Sequence, residues 1–521
     1  MTTASTTFTS TFPDVEIPDV PIHEYAFANA DQYADRVALL DGPTGRSYTY
    51  AALKGAVASV AGGLAAKGFG KGDVLAIIAP NIPEYAIVFH AVSMLGGTVT
   101  TVNPTYGPEE IAFQLKDAGA SLAVTIELFL AAVEKAAADV GGVDDIVILG
   151  DSDGGTPFTE YLGDPFTGSV EIDPANDVAV LPYSSGTTGL PKGVMLTHRN
   201  LVANICQMLP PMGFEEGKEV SLAFLPFFHI YGMQVLMNAS LRIAGTLVTM
   251  PRFDLEQFLE LIQEHRITRG YVVPPVVLAL AKHPIVDNYD LSSLELVFSG
   301  AAPLSASLAA EAAERIGCDV VQGYGMTEAS PVTNLTPPGR FKSGTSGLNV
   351  PNQELRIIDP ASGRDLGVGE EGELWFRGPQ VMKGYLNNEA ATRETITEDG
   401  WLKTGDIGRI DEEGYITITD RLKELIKVKG FQVPPAELEG LLLTHPDIAD
   451  AAVIGIPDEE SGELPKAFVV TKPDTSPTAE DIKAHVAEHV ASYKHLAEVE
   501  FIDQIPKSAS GKILRRELRD R

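Results

Sequence analysis

The amino-acid sequence predicts an α/β protein: a large N-terminal domain of parallel-rich sheets with helices plus a β-rich subdomain, then a small α+β C-terminal domain. Three observations lead there. Short β-rich runs alternate with helical stretches up to residue 330, the order that lays parallel strands beneath covering helices. Between residues 340 and 420 the texture changes to short strands with glycine-rich turns. The chain has 521 residues, whereas a single core stops growing near about 250–300 residues.

In chain order, Tyr50–Ala66 and Pro108–Ala118 read as helices, the second with the Pro-Glu-Glu start that a first helical turn favours. Leu75–Ile78 and Thr98–Val102 read as the strands around them. Gly270–Val273 and Leu294–Phe298 read as buried strands, followed by Pro274-Pro275 and Ser299-Gly300. Loops after parallel strands are where open α/β sheets hold ligands. Gly372–Arg377 typifies the β-rich subdomain, and residues 451–455, 466–470 and 479–490 supply two strands and a helix to the C-terminal domain.

Charge narrows the function. There are 71 acidic residues to 39 basic, a net charge of −32. Such a surface repels nucleic acid and anionic membranes, both of which must be neutralised by Lys and Arg. Any anionic ligand needs a local basic cluster, and one exists: Arg421, Lys423, Lys427 and Lys429. Cys206 and Cys318 make no disulfide framework and read as core thiols. The N-terminus shows no signal peptide and the C-terminus no retention tail, and the longest apolar region, Leu75–Val102, is broken by Pro80, Pro83 and Glu84. The expected location is the cytoplasm.

The string Tyr183-Ser-Ser-Gly-Thr-Thr-Gly-Leu-Pro-Lys-Gly193 follows the apolar run Val178–Leu181. Its glycines let the backbone turn tightly and aim N–H groups at an anion. The hydroxyls of Ser184, Ser185, Thr187 and Thr188 add donors, and Lys192 adds charge. It lacks the glycine spacing of a Walker A loop.

This string, and the rest of the chain with it, resembles the adenylate-forming superfamily of acyl-CoA synthetases, firefly luciferase and peptide synthetase adenylation domains. The nearest branch is that of 4-coumarate:CoA ligases. The same order of motifs includes Pro226-Phe-Phe-His-Ile-Tyr-Gly232, Ser299-Gly-Ala-Ala-Pro303, Gln322-Gly-Tyr-Gly-Met-Thr-Glu328, Trp401-Leu-Lys-Thr-Gly-Asp406, Asp420-Arg-Leu-Lys-Glu-Leu-Ile-Lys-Val-Lys-Gly-Phe-Gln432 and Pro506-Lys-Ser-Ala-Ser-Gly-Lys512.

The resemblance implies an AMP-forming acid–thiol ligase. ATP, with Mg²⁺, activates a small-molecule carboxylic acid as its acyl-adenylate, and the thiol of coenzyme A displaces AMP. Residues 1–420 are then the adenylation domain with the ATP and acyl sites, 420–423 the hinge pivoting at Lys423, and 424–521 a mobile lid. Ser184, Ser185, Gly186, Thr187, Thr188 and Lys192 hold phosphate; Gln322, Gly323 and Tyr324 meet adenine; Thr327 contacts the α-phosphate and Glu328 holds Mg²⁺. Asp406 binds the ribose, Arg421 the ribose or phosphates, and Lys427 and Gln432 approach the adenylate. Arg252, Lys429 and Gly430 meet coenzyme A, and Lys512 bridges the carboxylate and α-phosphate.

His229 and Tyr231 are expected between that centre and the acyl pocket, His229 as general base, gate or aromatic wall. Met233, Val235, Pro275, Val276, Gly300, Ala301 and Val332 are expected to line the pocket. Plant-type coumarate ligases often have Ser in place of Val235 and Lys in place of Ser305. Losing a hydroxyl beside a phenol favours a cinnamate- or 4-coumarate-like acid over polyhydroxylated ones, with a medium-chain fatty acid as the alternative. Carrier-protein loading is a further alternative, although Phe227–Tyr231 lacks the Asp that pairs with an amino-acid substrate. A luciferase-like oxygenase shares the first step. Intact Glu328, Asp406 and Lys512 argue against a non-catalytic nucleotide binder.

Overall fold

Hydrophobic strands without polar alternation must be covered on both faces, and Val178–Ser184 is of this kind. In the computed structural model it lies within an eight-stranded sheet, parallel to Thr98–Thr101, with Val74–Ile78, Leu122–Thr125 and Asp145–Ile148 following in parallel order. Lys192–Thr197 returns antiparallel beside it and pairs in turn with Gly384–Tyr385. The structure describes residues 6–184, 191–429, 431–458, 461–508, 511–519 and 521. Ser185, Gly186, Thr187, Thr188 and Gly430 lie outside these.

A second, nine-stranded sheet carries the parallel set Val37–Asp41, Thr246–Thr249, Val220–Ala223, Arg269–Val272, Leu296–Ser299 and Asp319–Gly325. Helices cover both sheets. Tyr50–Ala66 begins on Thr49, whose hydroxyl accepts from the Ala52 N–H, and Pro108–Ala118 begins where Glu110 reaches back to the Gly107 N–H.

The texture change after residue 340 corresponds to an antiparallel sheet of Phe8–Thr9, Glu354–Ile358, Gly372–Arg377, Leu402–Ile410 and Ile416–Arg421. Beyond it, Ile448–Asp458 and Gly462–Thr471 form a long hairpin, extended by Ile426–Val428 and by Glu498–Phe501, over a buried cluster that includes Val433, Leu438, Val453 and Ile482.

Two expected boundaries move for identifiable reasons. Leu294 closes a turn onto the Leu291 carbonyl, so that strand starts at Leu296. The strand read at 451–455 runs from Ile448 to Asp458 because its hairpin partner pairs along that length. Cys206 is buried, its Sγ 3.0 Å from the Tyr25 hydroxyl. Among the described residues no helix is long and apolar enough to cross a membrane.

Candidate active site

A cavity of about 580 Å³ opens at the carboxyl ends of the parallel strands. Its walls come from Thr101, Tyr183-Ser184, Phe228–Tyr231, Phe298, Gly300-Ala301, Gly323–Glu328 and Val332, from Arg421–Lys423 at the end of the antiparallel sheet, and from Lys512 of the C-terminal part. Most of the sequence-predicted motifs therefore meet around one space although they lie far apart in the chain.

On one side, Glu328 is buried and its Oε1 accepts from the Ser184 hydroxyl at 3.1 Å and the Tyr385 hydroxyl at 2.7 Å. Among the described residues Oε2 takes no donor. The Lys192 ammonium sits 4.2 Å from the centroid of the Tyr385 ring. Among the described residues no group of three His, Cys, Asp or Glu could hold a metal alone. One carboxylate with an oxygen unclaimed among the described residues nevertheless fits Mg²⁺, which binds by few carboxylates and completes its shell with water and phosphate oxygens.

Tyr324 lines the cavity, and its hydroxyl donates to Asp406 Oδ2. Arg421 Nε lies 3.2 Å from Asp406 Oδ1. Asp406 itself stands behind the wall, so Thr404, Gly405 and Arg421 face the cavity there. Burial raises its carboxyl pKa, and the Arg421 charge opposes that. A Cβ on Gly323 would come 2.4 Å from the Phe298 ring and 2.8 Å from the Asn334 carbonyl, so only glycine lets these strands approach. Gln322 does not line the cavity. Its amide exchanges bonds of 3.1 and 3.3 Å with the backbone of Leu304 and holds the preceding loop.

The other side is apolar: Phe228, Tyr231, Phe298, Gly300, Ala301 and Val332. The Tyr231 hydroxyl is committed to the Phe298 carbonyl at 3.2 Å, and Asn204 brackets the Val332 backbone at 2.8 and 3.1 Å. His229 is held neutral, with its pKa lowered to about 4 by burial and then by the Lys512 charge. Its Nδ1 accepts from the Tyr231 N–H at 3.2 Å, which leaves the ring proton on Nε2. In this geometry Nδ1 is taken up by the Tyr231 N–H, and Nε2 is the ring nitrogen left for a ligand.

Met233, Val235 and Val276 are buried in the core without lining the cavity, and Pro275 is outside it too. The run Tyr231–Asn238 is wound as a π-helix sunk in the core, so only its first residue reaches the cavity.

Lys512 enters from the C-terminal part on a tight turn. The Ser508 N–H donates to the Lys512 carbonyl at 2.8 Å, and the Lys512 N–H to the Ser508 hydroxyl at 3.2 Å. Burial, and then Arg421, lower its ammonium pKa to about 8. Lys423 lines the same cavity. Lys427, Lys429 and Gln432 do not: they project from an exposed face on which Phe431, 55% exposed, stacks on Tyr493 at 4.6 Å. Arg252 is also exposed and off the cavity.

Tyr385, Lys403, Glu373 and Thr395 line the site without having been singled out. Tyr385 arrives by pairing with Val194, two residues past Lys192. Its only sequence signal is the preceding Gly384, whose φ of 150° suits glycine.

A family model described as AMP-binding enzyme matches residues 26–386, and one described as AMP-binding enzyme C-terminal domain matches residues 437–512. A 4-coumarate–CoA ligase from Oryza sativa subsp. japonica is 46% identical over 99% of this chain and 94% of its own. Among solved structures, the anthranilate CoA ligase AuaEII in complex with anthranoyl-AMP superposes with a TM-score of 0.90 at 27% identity, over 97% of this chain and 98% of that one. ATP-bound MatB from Rhodopseudomonas palustris superposes with a TM-score of 0.88 at 29% identity, over 96% and 99%.

Proposed function

The chain belongs to the AMP-binding enzyme family, and from that premise we propose that it is an ATP-dependent carboxylate:CoA ligase that makes an acyl-adenylate and then an acyl-CoA thioester, acting on a cinnamate- or 4-coumarate-like acid in the cytoplasm. The carrying observation is that Lys512, Arg421 and Lys423 share one cavity with Tyr324, Thr327 and Glu328.

A carboxylate attacking the α-phosphorus of ATP is repelled by a tetra-anion, so the site must supply positive charge and hold the two in line. Lys512 is the cation proposed for this, with Arg421 beside it and Lys192 in the same cavity, adenine against Tyr324 and the ribose toward Asp406. Glu328 would hold a magnesium ion, whose chemistry is to neutralise triphosphate charge. Apolar Phe228, Phe298 and Val332 take the acyl group, while His229 donates toward the carboxylate from Nε2.

For the second step, residues 424–521 turn about Lys423, withdrawing Lys512 and presenting Lys427, Lys429 and Gln432. Gly430, next to Lys429 in the sequence, is assigned with it to coenzyme A, and Arg252 takes the nucleotide end of that molecule. Residues 1–420 carry the ATP and acyl sites, and Ser185, Gly186, Thr187 and Thr188 are assigned with Ser184 to phosphate.

The acyl preference rests on the hydroxyl of Tyr231, in the apolar wall, being committed to the Phe298 carbonyl. Desolvating an unpartnered hydroxyl costs about 1–3 kcal/mol, so each further ring hydroxyl lowers kcat/KM. The test is CoA-dependent AMP release over cinnamate, 4-coumarate, caffeate, benzoate and C6–C12 fatty acids. Turnover of cinnamate and 4-coumarate above caffeate is expected. Exclusive use of fatty acids would replace the aromatic assignment, and pyrophosphate release without thioester would replace the acceptor.

A further inference from the structure

Arg515 lies three residues past Lys512, on the short helix Arg515–Arg519 that follows the lysine turn. It points away from the cavity into the C-terminal part. Its side chain is 10% exposed, and every nitrogen is committed. Nη1 donates to Glu424 Oε2 at 2.5 Å, Nη2 donates to both oxygens of Glu439 at 2.7 Å, and Nε donates to the Val453 carbonyl at 3.2 Å. Glu424 and Glu439 are about as buried as the arginine. Glu439 also accepts from the Val453 N–H at 2.8 Å, which ties the helix Pro435–Leu442 to the strand Ile448–Asp458.

The position of Glu424 matters. It directly follows Lys423, and its N–H donates to the Arg421 carbonyl at 2.9 Å. The rest of the lysine turn is braced at its base. Lys507 pairs with Asp450 at 2.6 Å and bridges to Ile513, and the Leu514 N–H donates to the Pro506 carbonyl at 2.9 Å. At its tip, a Cβ on Gly511 would stand 3.5 Å from Val273 and 3.8 Å from Pro275 of the large domain. The turn is therefore a short lever seated against the cavity rim, and Arg515 joins its root to the chain beside the hinge.

We propose that Arg515 is a positioning residue that couples the hinge to Lys512: by gripping Glu424 and Glu439 together, it sets the reach of the lysine turn from the pivot, so that closing the domain places the ammonium in the cavity. This rests on Lys512 serving the adenylation step. A planar guanidinium suits the task because its fixed fork holds two carboxylates at a defined angle, which a lysine cannot do. A pair that served the fold alone could stop at Glu439. The third partner lies instead beside the pivot.

That third partner also provides the test. Glu424→Ala cuts the link to the hinge and leaves the Arg515–Glu439 pair and the Val453 bonds in place. Acid-dependent ATP–pyrophosphate exchange is expected to fall about 10- to 100-fold in kcat, the scale of an ångström-level misplacement, with KM for ATP nearly unchanged. Thioester formation from synthetic cinnamoyl-AMP and coenzyme A should stay close to wild type. Glu424→Gln, which keeps an acceptor for Nη1, should recover most of the exchange, and Arg515→Lys should not. Equal losses in both half-reactions, or exchange at the wild-type rate in Glu424→Ala, would overturn the inference. A Lys512→Ala control separates the two failures. If that control spares exchange, the lysine assignment and the inference fall together. If it abolishes exchange while Glu424→Ala does not, the inference alone falls.

Discussion

The two sides of the cavity are built on opposite terms. On the large-domain side several polar groups are already paired: Glu328 Oε1 to Ser184 and Tyr385, Tyr324 to Asp406, Asp406 to Arg421, and the Val332 backbone to Asn204. Such a wall needs no rearrangement as charge develops, which is the condition for strong electrostatic stabilisation. The C-terminal part presents two faces instead. One carries Lys512 into the cavity on a braced turn, and the other leaves Lys427, Lys429, Phe431 and Gln432 in solvent. A fixed wall and a two-faced lid are what a two-step reaction at one centre requires, because one set of cations cannot sit optimally for both steps.

If that contrast is right, freezing the lid and disturbing the wall should fail differently. Lys423→Pro, which restricts the pivot, should slow thioester formation by about 100-fold, the cost of denying a catalytic group its geometry. Adenylation should continue, since Lys512 is already in place; single-turnover assays of each step will show it. A variant with both steps intact would move the pivot elsewhere.

The wall side also contains a buried histidine cluster remote from the chemistry, and it sharpens the comparison through pH. Burial lowers His23 to about 4 and His90 and His198 to about 3, against 6.5 when exposed. All three are neutral in the fold. Below pH 6.5 the unfolded chain takes up protons that the fold refuses, so their stability is full above 6.5 and is lost as pH falls toward 3. Each should remove about 2 kcal/mol by pH 5. Thermal melts from pH 7 to 5 should show a fall in Tm that His90→Phe reduces, since that ring already packs between Phe27 and Phe89.

Smaller effects belong to the exposed face. Lys429→Ala should raise KM for coenzyme A about 10-fold, the scale of one charge-assisted contact, and leave pyrophosphate exchange alone. An equal effect on both would mean that this face does not alternate.

Much of this arrangement was legible in the sequence, for a physical reason. The phosphate, adenine and carboxylate roles proposed here fall on short contiguous strings, Tyr183–Gly193, Gln322–Glu328 and Ser510–Lys512, which is why a family resemblance could mark them. Sheet order was readable at the level of alternating strands and helices. What stayed hidden depends on long-range pairing or irregular winding. Tyr385 reaches Glu328 only through its pairing with Val194, and Arg515 meets Glu424 and Glu439 across the folded domain. Family resemblance alone places Met233 and Val235 at the pocket, and it does not show that the π-helix turns them into the core. Gln322, expected at adenine, turns to the Leu304 backbone because that loop's polar groups need a buried partner.

The most direct measurement compares the two half-reactions in Lys512→Ala. Exchange of pyrophosphate into ATP, dependent on cinnamate, should fall by about 10²–10³, the cost of removing one charged donor at such a centre. In the wild type its kcat/KM should decline above about pH 8 as the burial-lowered ammonium loses its proton. Thioester formation from cinnamoyl-AMP should be largely spared. Equal losses in both steps, or exchange that survives without the lysine, would contradict the division of labour between fixed wall and moving lid.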